Sequence, residues 1–446
     1  MLNRRQALGL LALGPAMAAF GGPNVLSAER RLPIVFVHGN GDTAGLWITT
    51  IWRFESNGYP RSLMHAVDLR YPLARTKDDT PQEGRSSTAD AMQQLAQEVA
   101  MVRKRTGAPK VILVAQSRGG NTVRNYIKNG GGAAVVQTAI LCGCVNHGVV
   151  VSDKVLVGSE FNGASPFMRD LNSTPGEVVP GVRFFTIRSD KNDKFAQTDG
   201  KVFGLPGPTG LSYDAPELKG ATNIVLPGID HRETGYAPEA FAAMYRAITG
   251  HDPAMLDIAV EKHAVLAGKV SGFEAGAQTN IGVGGASVEI YEVSPKTGER
   301  RGRAVHSKKT GADGQWGPFE VGPDAYYEFV VGVPGNPITH IYRSPFARSS
   351  GYVNIRPQPF GKGDSEAGAV VYMSRPRGYY TPGRDVVLLD GQVPAAIPPG
   401  VGTISLVKVN AAAPSRSVEG IVNQEGIVAR TWPVKENRVS VIELTY

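Results

Sequence analysis

The chain has 446 residues, more than one ordinary domain needs, and its hydrophobic content of 42% is enough to build a sizeable core. The formal charge of +7 is spread along the chain rather than clustered, which argues against nucleic acid as a partner. The 54 glycines and 31 prolines predict many tight turns.

Residues 1–28 have the pattern of an export signal. Arg4 and Arg5 precede an apolar stretch that is too short to span a bilayer, and small residues follow it. We therefore expect a protein of the periplasm or the extracellular space, with no transmembrane segment once the signal is removed. The adjacent arginines fit a twin-arginine signal, but general secretory signals are basic there too, and both routes stay open.

Residues 29–252 are predicted to form an α/β domain built on a doubly wound, mostly parallel sheet. Continuous apolar runs at residues 34–37 and 111–115 suit strands that are covered on both faces, and residues 182–187 are predicted to form another strand. They alternate with helical patterns such as residues 88–105, in which apolar side chains recur every three or four positions.

After about residue 252 the pattern changes to alternating apolar and polar residues separated by turn dipeptides. This predicts an antiparallel β-sandwich over residues 260–335 and a second β-rich module over residues 336–446.

The two cysteines, Cys142 and Cys144, are separated by one glycine. They have no zinc-binding spacing, and residues two apart on a strand are too distant for an unstrained disulfide. We expect buried free thiols, and we predict neither a metal nor a cofactor.

Ser117 follows an apolar strand and precedes a helix, so it lies on a sharp turn. The small residues Ala115 and Gly119 occupy the positions two before and two after it, where such a turn crowds the backbone. This geometry exposes the serine oxygen beyond the carboxyl end of the sheet, beside a helix N-terminus that favours negative charge. Ser117 is therefore the candidate nucleophile.

A serine nucleophile needs a base, and the base needs a group to orient it. His231 follows a strand and loop after Ser117 and precedes the last helix of the α/β half, which makes it the candidate base. The acid should follow a strand between them, where Asp193 is favoured and Asp190 is the alternative. The backbone N–H groups of Asn40 and Arg118 are the candidate oxyanion donors.

These residues resemble the motifs of α/β-hydrolases of the lipase and esterase type. The matching segments are Val37-His38-Gly39-Asn40-Gly41, Ala115-Gln116-Ser117-Arg118-Gly119 and Gly228-Ile229-Asp230-His231. The first residue of the nucleophile turn is alanine where the usual pattern has glycine. The resemblance implies hydrolysis of carboxylic esters through an acyl-enzyme, and residues 149–181 are the candidate lid.

Through Gly298, Asp313-Gly314 and Tyr326-Tyr327, residues 265–333 resemble transthyretin-like or carboxypeptidase-regulatory β-sandwiches. Some prokaryotic lipases also carry C-terminal β modules that hold lipid, so these modules could contact a lipid or polymer surface or only stabilise the enzyme. The leading hypothesis is an exported serine ester hydrolase acting on lipid or other acyl esters. The alternatives are a polyester depolymerase and an inactive binding or adhesion protein.

Overall fold

The structure, a computed structural model, describes residues 31–201, 204–205 and 207–446. The predicted export signal, residues 1–28, lies outside these ranges. Within them, no helix has the length and apolar character needed to cross a membrane.

A parallel sheet forms the centre of the α/β half. Its strands are β1 (Ile34–Val37), β2 (Met64–Val67), β3 (Val111–Gln116), β4 (Val136–Cys142), β5 (Arg183–Ser189) and β6 (Thr222–Leu226). They lie in the order β2-β1-β3-β4-β5-β6, and every neighbouring pair is parallel. The helices of this half are α1 (Ile48–Ser56), α2 (Thr88–Thr106), α3 (Arg118–Asn129), α4 (Pro166–Leu171) and α5 (Pro238–Thr249).

Helices cover both faces of this sheet. In β1, Ile34 and Phe36 pack with residues of α1 and α5, whereas Val35 and Val37 pack with residues of α2 and α3. Successive side chains of a strand point to opposite faces, so a strand covered on both sides must be apolar throughout. The predicted α/β-hydrolase fold class is confirmed.

The second half of the chain consists of strands. They are β7 (Ala264–Leu266), β8 (Ser271–Glu274), β9 (Ala277–Gly282), β10 (Ser287–Val293), β11 (His306–Lys309), β12 (Phe319–Val321), β13 (Tyr326–Gly332), β14 (Ile338–Arg343), β15 (Ala369–Ser374), β16 (Val387–Leu389), β17 (Leu406–Ala411), β18 (Ser417–Val422), β19 (Glu425–Arg430) and β20 (Arg438–Glu443).

One seven-stranded sheet, in the order β11-β10-β13-β14-β20-β15-β17, forms the centre of this half. Strands β13 and β14 pair as a hairpin across residues 333–337, so the boundary predicted at residue 335 falls within a hairpin and the two predicted modules share one sheet. The pairing is mostly antiparallel, but β20 is parallel to both of its neighbours, β14 and β15.

The two faces of this sheet are buried against different partners. One face packs with β7, β12 and, through Ile48 and Trp52, with α1 of the α/β half. The other face packs with the three-stranded sheet β16-β18-β19, as a sandwich requires. The β half therefore has a core of its own that continues into the α/β half, and the chain from Leu32 onward forms one unit.

Candidate active site

Ser117 lies in a strained turn between β3 and α3. Its backbone has φ 54° and ψ −125°, a region that residues with a Cβ rarely adopt. Its N–H donates to the carbonyl oxygen of Cys142 on the neighbouring strand at 3.1 Å, which holds the turn against the sheet. Gly119 approaches β1 so closely that a Cβ there would lie 2.6 Å from the carbonyl oxygen of Val37. A glycine is therefore required at this position for the turn to close.

His231 lies beside this turn and is almost fully buried. Its Nδ1 is 2.9 Å from Oδ2 of Asp193, and its carbonyl oxygen accepts a hydrogen bond from the side chain of Gln116, the residue before Ser117, at 3.0 Å. Nε2 has no hydrogen-bond partner within the described part of the chain. With Nδ1–H donating to the carboxylate, Nε2 keeps its lone pair for a proton.

The structure brings Asp193, and not Asp190, to His231. The second oxygen of Asp193 accepts the N–H of Phe195 at 2.8 Å, and the Phe195 ring packs edge-on against the imidazole at 4.5 Å. Asp190 instead accepts hydrogen bonds from the backbone N–H groups of Lys191 and Gly228. Partial burial opposes its ionisation, but these donors keep the pKa of Asp190 below its usual value.

Residues 38–43, which we call the oxyanion loop, follow β1 and lie against Ser117. A Cβ on Gly39 would lie 3.0 Å from Cβ of Ser117. The N–H of Asn40 has no acceptor among the residues described, and the N–H of Arg118, in the first turn of α3, has no partner within its own helix. Neither predicted oxyanion donor therefore has an acceptor for its N–H group in the described part of the chain.

His38, the first residue of this loop, has a packing role. Its ring is fully buried between the carbonyl oxygen of Gly39 and the N–H of Leu69. Burial lowers its pKa, and one ring nitrogen accepts a hydrogen bond, so the imidazole is held neutral.

The Arg118 side chain has a structural role that the sequence did not reveal. Its guanidinium is buried and pairs with Glu160 at 2.7 Å, while its remaining N–H groups donate to Pro72 and Ser86 at 3.0 Å. Glu160 also accepts from Asn121 at 3.1 Å. These hydrogen bonds and the ion pair connect Glu160, in the middle of residues 149–181, to α3. The predicted lid is therefore held to the α/β domain at this residue.

An apolar cluster connects the site with this segment. Val145, Val149 and Val150 are buried, and Phe195 packs against them. Farther along the segment, Leu156 and Val157 are exposed. The imidazole of His231 therefore contacts an apolar cluster that includes Val149 and Val150 of the predicted lid segment.

The β half contacts the oxyanion loop through β9. The side chain of Gln278 donates to the carbonyl oxygen of Gly41, and that of Asn280 donates to the carbonyl oxygen of Asp42 at 2.9 Å. Asn280 is buried and also donates to the carbonyl oxygen of Leu69 at 2.9 Å. Two side chains from the β half thus position the loop that carries Asn40.

The residues around His231 are held by a buried ionic cluster, which we define as Asp230, Glu233, Arg375, Arg384 and Asp385. Arg375 lies 2.9 Å from Glu233 and 3.3 Å from Asp385, and Arg384 pairs with the same two acids. Burial, followed by the charge of Glu233, raises the pKa of Asp230 to about 7.

The loop of Asp193 has its own contacts with the β half. Lys194 donates to the carbonyl oxygen of Thr403 at 2.9 Å and lies 4.0 Å from the centre of the Tyr379 ring. Burial, and then the charge of Arg232, lowers the pKa of Lys194 to about 8. None of these partners could be found by a local pattern, because they lie some two hundred residues from the loops they hold.

The cysteines and the charged groups show no metal centre. Cys142 and Cys144 are free and buried, as predicted. Among the described residues, no group of three or more histidine, cysteine, aspartate or glutamate side chains is arranged to hold a metal ion.

Two family models match the chain. Residues 31–207 match the model described as Lipase (class 2), and residues 262–359 match the model described as Lipase C-terminal domain. The second match covers the stretch in which the sequence resembled transthyretin-like sandwiches.

Solved structures of low identity also match the chain. A lipase of Bacillus licheniformis in its mature form is 19% identical, with 51% of this chain and 96% of that chain covered and a TM-score of 0.38. Lipase B of Aspergillus fumigatus is 19% identical over 51% of this chain, with a TM-score of 0.34, and the match spans 54% of that chain's length. A carboxylesterase of Bacillus subtilis is 12% identical over 50% of this chain and 85% of its own, with a TM-score of 0.27.

Proposed function

We propose that this chain is a carboxylic-ester hydrolase of the lipase and esterase type that cleaves acyl esters through an acyl-enzyme on Ser117. The matches of residues 31–207 to the Lipase (class 2) model and of residues 262–359 to the Lipase C-terminal domain model support this proposal. The observation that carries this proposal is the pairing of His231 with Asp193 beside the strained turn of Ser117, which leaves Nε2 of the imidazole unpartnered.

In the proposed reaction, Oγ of Ser117 attacks the ester carbonyl carbon while Nε2 of His231 takes its proton. Asp193 holds the imidazole in the required tautomer and stabilises its positive charge. The negative charge on the former carbonyl oxygen is stabilised by the N–H groups of Asn40 and Arg118. The imidazolium then protonates the leaving alcohol, and a water molecule activated by His231 releases the acid.

Ser117→Ala tests the nucleophile. We expect kcat on a soluble chromogenic ester to fall by a factor of about 10⁴ or more, because a serine hydrolase without its nucleophile keeps only binding and oxyanion stabilisation. An organophosphate should label the wild type on Ser117 and leave the variant unlabelled. The matched control is Ser173→Ala, at an exposed position, which should behave as the wild type. Full activity in Ser117→Ala would refute the proposal.

The proposed substrates have apolar acyl groups. Support comes from the apolar cluster that includes Phe195, whose ring contacts His231. A series of 4-nitrophenyl esters of increasing acyl length tests this: kcat/KM should rise with length, since each buried methylene contributes about 0.8 kcal/mol. A kcat/KM that decreases for acyl groups longer than acetate would contradict the proposed preference for apolar acyl groups.

We also propose that the protein is exported, on the basis of the basic and apolar pattern of residues 1–28. Fractionation of cells that make the full chain should find it in the periplasm or the medium. Arg4→Lys with Arg5→Lys distinguishes the two routes, since a twin-arginine signal requires the arginine pair and a general secretory signal requires only positive charge. Cytoplasmic retention of the wild type would refute export.

A further inference from the structure

A cavity of about 410 Å³ lies between the oxyanion loop and the β half. Gly41 and Asp42 form part of its wall on the side of the α/β domain. Four arginines from different parts of the chain line it as well: Arg232, Arg343, Arg356 and Arg377. Four guanidinium groups around one cavity are unusual, because arginine is seldom buried without a partner.

Two of these arginines are neutralised by carboxylates. Arg232 lies 2.9 Å from Asp42, and Arg343 lies 2.6 Å from Glu443. Each of these pairs contributes no net charge to the cavity.

The other two arginines, Arg356 and Arg377, have no carboxylate within 4 Å among the residues described. Arg377 is buried and donates only to backbone carbonyl oxygens, those of Gly45, Leu444 and Thr445, at 2.8 to 3.2 Å. All of these acceptors are uncharged, and the carboxylates that act on Arg377, those of Glu443 and Glu425, do so without a hydrogen bond to its guanidinium among the described residues.

Arg356 likewise donates to neutral oxygens, those of the Gln278 and Asn280 side chains and the backbone of Thr279, at 2.9 to 3.0 Å. Its Nε is buried and has no hydrogen-bond partner within the described ranges. Burial lowers the pKa of Arg356 to about 10 and also lowers the pKa of Arg377, and in each case it outweighs the opposing charges of the carboxylates, Asp68 and Asp42 for Arg356 and Glu443 and Glu425 for Arg377.

Buried charges in proteins are paired, because an uncompensated charge loses its hydration without a replacement. Two guanidinium groups that line one cavity and form no ion pair with a described carboxylate can together balance one phosphate dianion, and the planar donor set of a guanidinium group matches the phosphate oxygens. We propose that this cavity is a binding site for a phosphate group, held by Arg356 and Arg377. The phosphate could be free inorganic phosphate or the headgroup of a lipid.

Isothermal titration calorimetry at constant ionic strength tests the site with two probes. The first is inorganic phosphate, and the second is a monomeric short-chain diether phosphatidate, which has no ester to hydrolyse. The diether glycerol without phosphate is the reference for the second probe. Saturable binding of both probes supports a site for any phosphate group, and binding of the phosphatidate alone supports a lipid headgroup. If neither binds, the proposal is refuted.

Variants then assign the binding to the two arginines. Arg356→Gln and Arg377→Gln should each weaken the affinity by a factor of about ten or more, the value of one hydrogen-bonded charge. Arg301→Gln is the matched control, because Arg301 is an exposed arginine of the β half that pairs with Glu292. Unchanged affinity in both test variants would refute the assignment.

If a glutamine variant does not fold, Arg356→Lys and Arg377→Lys can be used instead. They keep the positive charge but replace the planar guanidinium group, with its several N–H donors, by an ammonium group. These variants should bind more weakly than the wild type but remain saturable. Affinity equal to that of the wild type would contradict the role of the guanidinium groups. None of these measurements depends on ester hydrolysis, so they can fail independently of the proposed function.

Discussion

Arg375→Met should destabilise the protein strongly, because Arg375 is the central cation of the buried ionic cluster beside His231. Its guanidinium lies 2.9 Å from Glu233, 3.3 Å from Asp385 and 3.7 Å from Asp230, and its side chain is only 6% exposed. The substitution keeps much of the apolar stem and removes only the charge and the donors. Three buried carboxylates would then share one cation, Arg384, whose side chain is 30% exposed.

The expected loss in the free energy of unfolding is about 3–5 kcal/mol, the usual effect of removing one partner from a buried ion pair. A matched control is Arg416→Met. Arg416 also pairs with a carboxylate, Asp390, at 2.6 Å, but the side chains are 37% and 32% exposed. Water screens such a pair, so the control should lose less than about 1 kcal/mol.

The loss should depend on pH in a defined direction. Burial and Glu233 already raise the pKa of Asp230 to about 7, and loss of the Arg375 charge raises it further. A carboxyl group with a raised folded-state pKa binds protons more tightly in the folded than in the unfolded state, so stability falls as the pH rises from its unfolded pKa through its folded pKa. The variant should therefore lose most at pH 8 and less at pH 5.

Urea unfolding of both variants and the wild type at pH 8 and pH 5 measures these quantities, with near-ultraviolet circular dichroism as the signal. The same loss in Arg375→Met as in Arg416→Met would refute the argument from burial. A loss that increases toward acidic pH would refute the argument from the raised pKa.

Further substitutions address the other site residues. Asp193→Asn should lower kcat by about 10⁴-fold with little change in fold, because the amide favours the wrong tautomer of His231. Asp190→Asn, the matched control at the alternative position, should keep kcat within about tenfold, and the reverse order would assign the acid to Asp190. Gly119→Ala should cost at least about 1–3 kcal/mol of stability because its Cβ would meet backbone at 2.6 Å, whereas Gly351→Ala, with no atom within 4 Å, should be close to neutral in urea unfolding. Burial raises the pKa of both cysteine thiols, so Ellman's reagent should label two thiols after unfolding and none in the native state; native labelling would contradict their burial.

Much of the α/β half could be predicted from the sequence because its signals are local. Strands buried on both faces are apolar throughout, and α2 was predicted at residues 88–105 and lies at Thr88–Thr106. The candidate nucleophile and base could be selected because each follows a strand of a parallel sheet, whose carboxyl ends meet at one edge.

The sequence favours Asp193 over Asp190 but does not decide between them. Both residues follow β5, and only their hydrogen bonds distinguish them: Asp190 is engaged by Lys191 and Gly228, and Asp193 by His231. The local sequence does not indicate which carboxylate accepts hydrogen bonds from the backbone of its loop and which one is left to pair with the histidine.

The relation of the β half to the site was also beyond sequence reasoning. Alternating patterns predicted strands, but strand order depends on packing between distant segments. Asn280 contacts Asp42 across 238 positions, and no local pattern predicts such a contact. Removal of the β half should therefore impair turnover of a soluble ester as well as any surface binding.

The position of β20 has a consequence for the order in which the chain can fold during synthesis. This strand is the last of those described, yet it lies in the middle of the seven-stranded sheet, between β14 and β15. The α/β half has all of its strands once residue 226 has been made, and it can begin to fold at that stage. The sheet of the β half stays divided until residues 438–443 arrive. Folding of the α/β half is therefore expected to begin well before the seven-stranded sheet of the β half can be completed.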